Sequence, residues 1–190
     1  MEQAQRTRAH LERILLICGE QNSGKSTLLR YLLSDPRLGG AMANPQGPVA
    51  PRALSRERRL ALRITSPHEF GDSPNDFYEK IDRACEKAWQ EGFWRVNYAS
   101  AVQPRAFNKM PGIVDVCLGL IREFKPERIR VVQLAPDCNG SFNSQLNPQE
   151  VDGLRKLADV EVITIDARPS ANGNPTPGNV RILADFFDFT

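Results

Sequence analysis

Ile14-Leu15-Leu16-Ile17-Cys18 runs directly into Gly19-Glu20-Gln21-Asn22-Ser23-Gly24-Lys25-Ser26, and that stretch into Thr27-Leu28-Leu29-Arg30-Tyr31-Leu32-Leu33. The first segment is continuously apolar, which predicts a central strand buried on both faces. The second fits the spacing G-x-x-x-x-G-K-[ST], in which a glycine-rich loop holds a phosphate. The third predicts a helix. Strand, glycine loop and helix in that order give a short pattern the structural context it requires.

The chemistry follows from the residue types. Gly19 and Gly24 let the backbone turn tightly and approach a phosphate closely. The loop N–H groups from Gln21, Asn22 and Ser23 through Gly24, Lys25, Ser26 and Thr27 would form an anion-binding nest at a helix N-terminus. Lys25 can place its ammonium on the β- and γ-phosphates, and the Ser26 hydroxyl can ligate Mg²⁺. The alternative is an ordinary glycine-rich strand-to-helix turn.

A chain of 190 residues suits one α/β domain over residues 1–190 with a sizeable core. The net charge of +2 does not by itself imply nucleic acid. No apolar run has the length of a membrane span, and no signal-peptide pattern follows Met1, so a cytoplasmic protein is expected. The four cysteines, Cys18, Cys85, Cys117 and Cys138, form no C-x-x-C pair and read as reduced thiols. His10 and His68 have no partners at zinc-ligand spacing.

Residues 1–13 read as a polar, arginine-containing lead-in. Pro36 ends the first helix. Residues 36–58 read as one long loop, broken by Gly39, Gly40, Pro45, Gly47, Pro48 and Pro51. Its basic end, Arg52, Arg56, Arg58 and Arg59, is either a solvated charged stretch or a contact for phosphate, nucleic acid or a protein partner. Leu60, Leu62 and Ile64 alternate as a half-buried strand near a sheet edge. Asp76 is expected to cap a helix through about Gln90, with Phe77, Ile81, Ala84, Cys85, Ala88 and Trp89 inward.

Further along, Val96–Val102 is a strand candidate, and Pro111 opens a helix with Ile113, Val116, Cys117, Leu120, Ile121 and Phe124 on one side. Ile129–Ala135 is a strand. Asn147-Pro148-Gln149-Glu150 is a helix start. Val160–Ile165 is the last strand, and Thr176-Pro177 opens the last helix. The order β-α-β-α-β-α-β-α-β-α predicts a three-layer sandwich: a mostly parallel sheet of about five strands, covered by helices on both faces.

A phosphate-binding loop of this kind needs an acidic group near the metal. Asp137, just past the strand ending at Ala135, is the first choice for a metal-supporting, catalytic carboxylate beside Lys25. Glu69, Asp72 and Asp166 are the other candidates. Asp137 can instead make an Asx-turn with Asn139-Gly140. Arg105 and Arg168 are candidate charge stabilisers.

Gly19–Ser26 resembles the loop of the P-loop NTPase superfamily. Asn22–Leu28 looks like the loop of Ras-like and dynamin-like GTPases. The chain has no Asn-Lys-x-Asp or Thr-Lys-x-Asp, which points to ATP rather than GTP. Val131–Asp137 and Leu157–Ile163 are similar to the later strands of ParA/MinD-type ATPases, although Glu20-Gln21 replaces that family's extra lysine. The resemblance implies the P-loop NTPase fold and a Mg²⁺-dependent ATPase that switches its association with a protein partner or a second copy of itself. Nucleic acid would be reached through Arg52, Arg56, Arg58 and Arg59. Two other readings stay open. One is a small-molecule phosphotransferase, although Asp137–Asn147 holds no arginine or lysine for a lid. The other is a nucleotide-binding module without turnover.

Overall fold

A computed structural model describes residues 8–44 and 49–190 of the chain. Residues 1–7 of the lead-in, and Pro45, Gly47 and Pro48 of the long loop, lie outside the described residues. The strands are β1 (His10–Cys18), β2 (Arg52–Ala53), β3 (Arg58–Arg63), β4 (Arg95–Val102), β5 (Arg128–Leu134) and β6 (Val160–Ile165). They form one sheet in the order β2-β3-β4-β1-β5-β6. β3, β4, β1, β5 and β6 are parallel, and β2 pairs antiparallel with β3. The five parallel strands are those read from the sequence. The sixth, β2, lies inside the stretch expected to be loop and covers the outer edge of β3.

The helices are α1 (Lys25–Leu32), α2 (Pro67–Phe70), α3 (Pro74–Gln90), α4 (Ile113–Phe124), α5 (Pro148–Arg155) and α6 (Pro177–Ala184). β1 shows why both faces are covered. Its alternate side chains Leu15 and Ile17 join Leu28, Leu29 and Leu32 of α1 and Leu183 and Ala184 of α6 in one core. Ile14, Leu16 and Cys18 join Phe77, Ile81 and Cys85 of α3, Val116, Cys117 and Leu120 of α4, and Leu154 of α5 in the other. A strand period of two therefore feeds two cores, and no polar face remains on β1's apolar half.

Several boundaries differ from the sequence reading, each for a local reason. β1 begins at His10, so the end of the polar lead-in is strand. Its Glu12 is buried by ion pairing rather than by apolarity. α3 is capped by Ser73, and Asp76 is the reciprocal member of a capping box, its carboxylate accepting from the Ser73 N–H at 2.8 Å. Trp89 does not join the α3 core; it is 40% exposed and sits beside Trp94. α4 begins at Ile113 with Gly112 as its cap, which leaves Pro111 just outside the helix. The start at Asn147 forms a full capping box with Glu150, and Thr176 caps α6, both as expected.

The chain leaves β1 toward β3 on one side and leaves β5 toward β6 on the other. The crevice outside the carboxyl ends of β1 and β5 is therefore a topological switch point, where ligands of open parallel sheets bind. No described helix is long and apolar enough to cross a membrane.

Candidate functional site

The glycine loop occupies this switch point. It leaves β1 at Cys18 and enters α1 at Lys25, through Asn22 at φ 61° and Gly24 at φ 94°. Gly24 is required twice over. A side chain there would adopt the left-handed region, and its Cβ would come within 2.9 Å of Cys138 Cβ. At Gly19 a Cβ would crowd the Ser23 hydroxyl, which is buried with no hydrogen-bond partner.

The loop does not offer every N–H that its spacing suggests. Ser23 N–H donates to the Glu20 carbonyl at 3.3 Å. Lys25, Ser26 and Thr27 form the first turn of α1, where N–H groups have no intrahelical acceptor. No side chain caps that helix end. Gln21, Asn22 and Thr27 are exposed at the mouth.

Lys25 is 3% exposed. Its ammonium donates to the Glu20 carbonyl at 2.6 Å and to Glu69 Oε1 at 3.1 Å. A buried ammonium is costly unless paired, and here the paired carboxylate comes from α2, beyond β3. Gln103, at the end of β4, donates to the same Glu69 oxygen at 3.4 Å. Ser26 Oγ donates to the Ile64 carbonyl at 3.2 Å, so the side chains of Lys25 and Ser26 both reach toward the segment after β3.

That segment is held from the far side by His68, which is fully buried. Its Nε2–H donates to the Pro111 carbonyl at 2.8 Å, and Nδ1 accepts from the Gln103 N–H at 3.4 Å. Burial pushes the imidazole below its ordinary value of 6.5, which keeps it neutral in this arrangement. Asn108 donates to the His68 carbonyl at 2.6 Å.

Asp137 is brought near the loop, in the role of turn former. Its Oδ1 accepts N–H bonds from Asn139 at 2.8 Å and Ser141 at 2.9 Å, the Asx-turn geometry. The turn presses Cys138 and Asn139 against the glycine loop. Cys138 N–H donates to the Ser23 carbonyl at 3.2 Å, and Asn139 Nδ2 donates to the Asn22 carbonyl at 3.1 Å. The other acids are engaged elsewhere, Asp72 with Lys80 and Arg63 and Asp166 with Arg168. Arg105 pairs with Glu20 at 2.8 Å. Mg²⁺ favours oxygen donors. The Ser26 hydroxyl fits that requirement; Glu69 is engaged with Lys25, and Asp137 Oδ1 already serves two N–H groups.

Beside the loop, Gly24, Thr27, Leu28, Cys138, Ala167 and Pro169 line a cavity of about 250 Å³ that Gly173 and Pro175 close. The loop 166–178 thus meets the start of α1.

The four basic residues expected to act together differ in pairing and exposure. Arg58 and Arg59 lie in β3, at the sheet edge away from Lys25. Arg58 is bound to Glu12 at 3.1 Å. Arg59 is buried, paired with Glu91 and placed over Phe93. Arg52 and Arg56 remain exposed. The contact sequence reasoning did not identify is Lys25–Glu69. Glu69 was one of several acids in the loop after β3, and nothing local to it marks the lysine as its partner.

Compared with known proteins, the chain matches no family model and no curated sequence.

Proposed function

We propose that the chain is an ATP-binding protein of the P-loop NTPase fold, which hydrolyses ATP slowly in the presence of Mg²⁺ and so switches its association with a protein partner or a second copy. The observation that carries this reading is the buried Lys25 ammonium at the uncapped start of α1, behind a loop that requires glycine at Gly24. Such an ammonium neutralises phosphate charge, and the first-turn N–H groups supply the anion contacts.

The neighbouring cavity suits a purine. Its lining is largely apolar and carries no carboxylate. Guanine's adjacent N1–H and N2–H donors are matched by a carboxylate, which this lining lacks, so adenine is favoured. The Ser26 hydroxyl would hold Mg²⁺, which would supply charge neutralisation on the terminal phosphates. Lys25 binds and orients those phosphates, and Cys138 and Asn139 brace the loop. Loops 36–58 and 166–178 are the segments that would report the bound state to a partner. Of the basic residues, Arg52 and Arg56 are the exposed ones available to a nucleic acid.

A second reading, binding without turnover, is favoured by one feature. β4, the neighbour of β1, ends at Val102 and is followed by Gln103 rather than an acid, and Asp137 is committed to its turn. Phosphotransfer to a small molecule has no comparable support.

Calorimetric titration with ATP and GTP, with and without Mg²⁺, tests the proposal. ATP is expected to bind wild type, GTP more weakly, and Lys25→Ala neither. Unchanged ATP affinity in Lys25→Ala would sink the assignment. Phosphate release measured on the same samples separates a hydrolase from a binding module.

A further inference from the structure

Lys25 and Glu69 pose a problem of charge that leads beyond binding itself. The lysine has two acceptors, a neutral carbonyl and one carboxylate. A terminal phosphate arriving at the same ammonium would bring further negative charge to within a few ångströms of that carboxylate. At such separations like charges repel strongly in a partly buried site. The carboxylate is 23% exposed, so water is within its reach once it lets go.

Glu69 also sits on a single turn that is held at both ends. α2 is a single turn, begun by Pro67 and ended by Gly71 at φ 83°. Its closing N–H bonds run from Phe70 to the Ser66 carbonyl and from Gly71 and Asp72 to the Pro67 carbonyl. On one side His68 is fixed to Gln103 and Pro111. On the other Asp72 is fixed to Arg63 and Lys80. Between these anchors, Phe70 is 68% exposed, and Glu69 is tied through Lys25 and Gln103.

We propose that Glu69 is a positioning residue that senses the nucleotide: its carboxylate holds Lys25 in competition with the terminal phosphate of a nucleoside triphosphate, and displacement of that carboxylate loosens the 66–72 turn. The proposal rests on the nucleotide reading above. It names the element that would convert an occupied loop into a changed surface, with Phe70 at its tip. It also inverts the usual consequence of removing a site carboxylate, because loss of a competitor strengthens binding.

Two measurements test it. In calorimetry with ATP and Mg²⁺, Glu69→Gln is expected to bind roughly five- to tenfold more tightly than wild type. In hydrogen exchange on wild type, the amides of Phe70, Gly71 and Asp72 are expected to exchange faster with ATP bound than without it. In Glu69→Gln they are expected to exchange fast with or without ATP. Equal affinity in the variant, or unchanged or slower exchange of those amides in wild type, overturns the competition. Weaker Mg²⁺-dependent binding in Glu69→Gln also overturns it and assigns the carboxylate to the metal. Failure of ATP to bind either protein overturns the nucleotide reading instead. The wild-type exchange measurement stands even if the variant fails to fold.

Discussion

Two buried charges at opposite edges of one sheet are satisfied in different ways. At the amino edge, Glu12 is 1% exposed and is held by three donor groups through four contacts. Arg58 Nε reaches both of its oxygens at 3.2 and 3.1 Å, Arg95 reaches it at 2.9 Å and Asn97 at 3.1 Å. The arginines are themselves paired further out, with Asp188 and Glu127. At the carboxyl edge, Lys25 is as deeply placed and has one carboxylate and one carbonyl. Hydrogen bonding to the charged form from several directions makes an ion part of the scaffold. A buried ion with a single, partly exposed counter-charge is the kind that another anion can claim. Burial alone therefore does not separate a structural charge from a functional one; the number and replaceability of its partners does.

The largest test of this contrast compares stability. Glu12→Ala leaves two arginines without their shared acceptor and is expected to cost about 3–5 kcal/mol in urea unfolding. Lys25→Met is expected to change stability by less than about 1 kcal/mol, because an apolar chain of similar length replaces a costly ion. Equal losses in the two variants would break the distinction.

Gly24→Ala comes next. A positive-φ alanine that also crowds Cys138 is expected to cost about 1–2 kcal/mol and to weaken ATP binding, as read by urea unfolding and calorimetry. Retained stability and affinity would mean that the loop turns differently.

A smaller effect concerns pH. The folded His68 imidazole titrates below 6.5 because of burial, so below that value the unfolded chain takes up the proton first. Its contribution to stability is complete above about pH 6.5 and declines as pH falls below it. Stability measured from pH 7.5 to 5 is expected to fall more steeply in wild type than in His68→Gln. Parallel curves would remove His68 as the cause.

The smallest expected effect is chemical. Burial raises the Cys138 thiol above its ordinary value, so alkylation is slow, and ATP in the cavity that Cys138 lines is expected to slow it several-fold. An unprotected Cys138 would separate that cavity from the nucleotide site.

The parallel part of the fold was legible because Ile14–Cys18 is an apolar run, β5 and β6 are rich in Val and Ile, and the helices between them carry start signals. Asn147-Pro148 and Thr176-Pro177 set helix starts through caps whose partners lie three residues on. Boundaries set by distant partners were not legible. His10–Arg13 reads as polar, and it is strand because Glu12 meets Arg58, Arg95 and Asn97, residues far away in sequence. β2 has two exposed residues and no apolar pattern to announce it. At the site, the glycine loop and the placement of Lys25 at the start of α1 followed from spacing, because a strand-to-helix turn is a local structure. Glu69 did not, since 44 residues separate it from Lys25 and their pairing depends on where β3 ends. Asp137 carried both of its possible roles in sequence, and the turn to Ser141 N–H is a tertiary fact.

The strand order also governs when the molecule can assemble. β1, near the start of the chain, has β4 and β5 as its two neighbours, and β3 reaches it only across β4. As the chain emerges from the ribosome, Ile14–Cys18 has no strand to pair with until residues 95–102 are available. Such long-range pairing slows folding and leaves an apolar strand exposed meanwhile. Fragments ending before Arg95 should therefore aggregate rather than hold a partial sheet, and a nascent chain would need shelter for its first half.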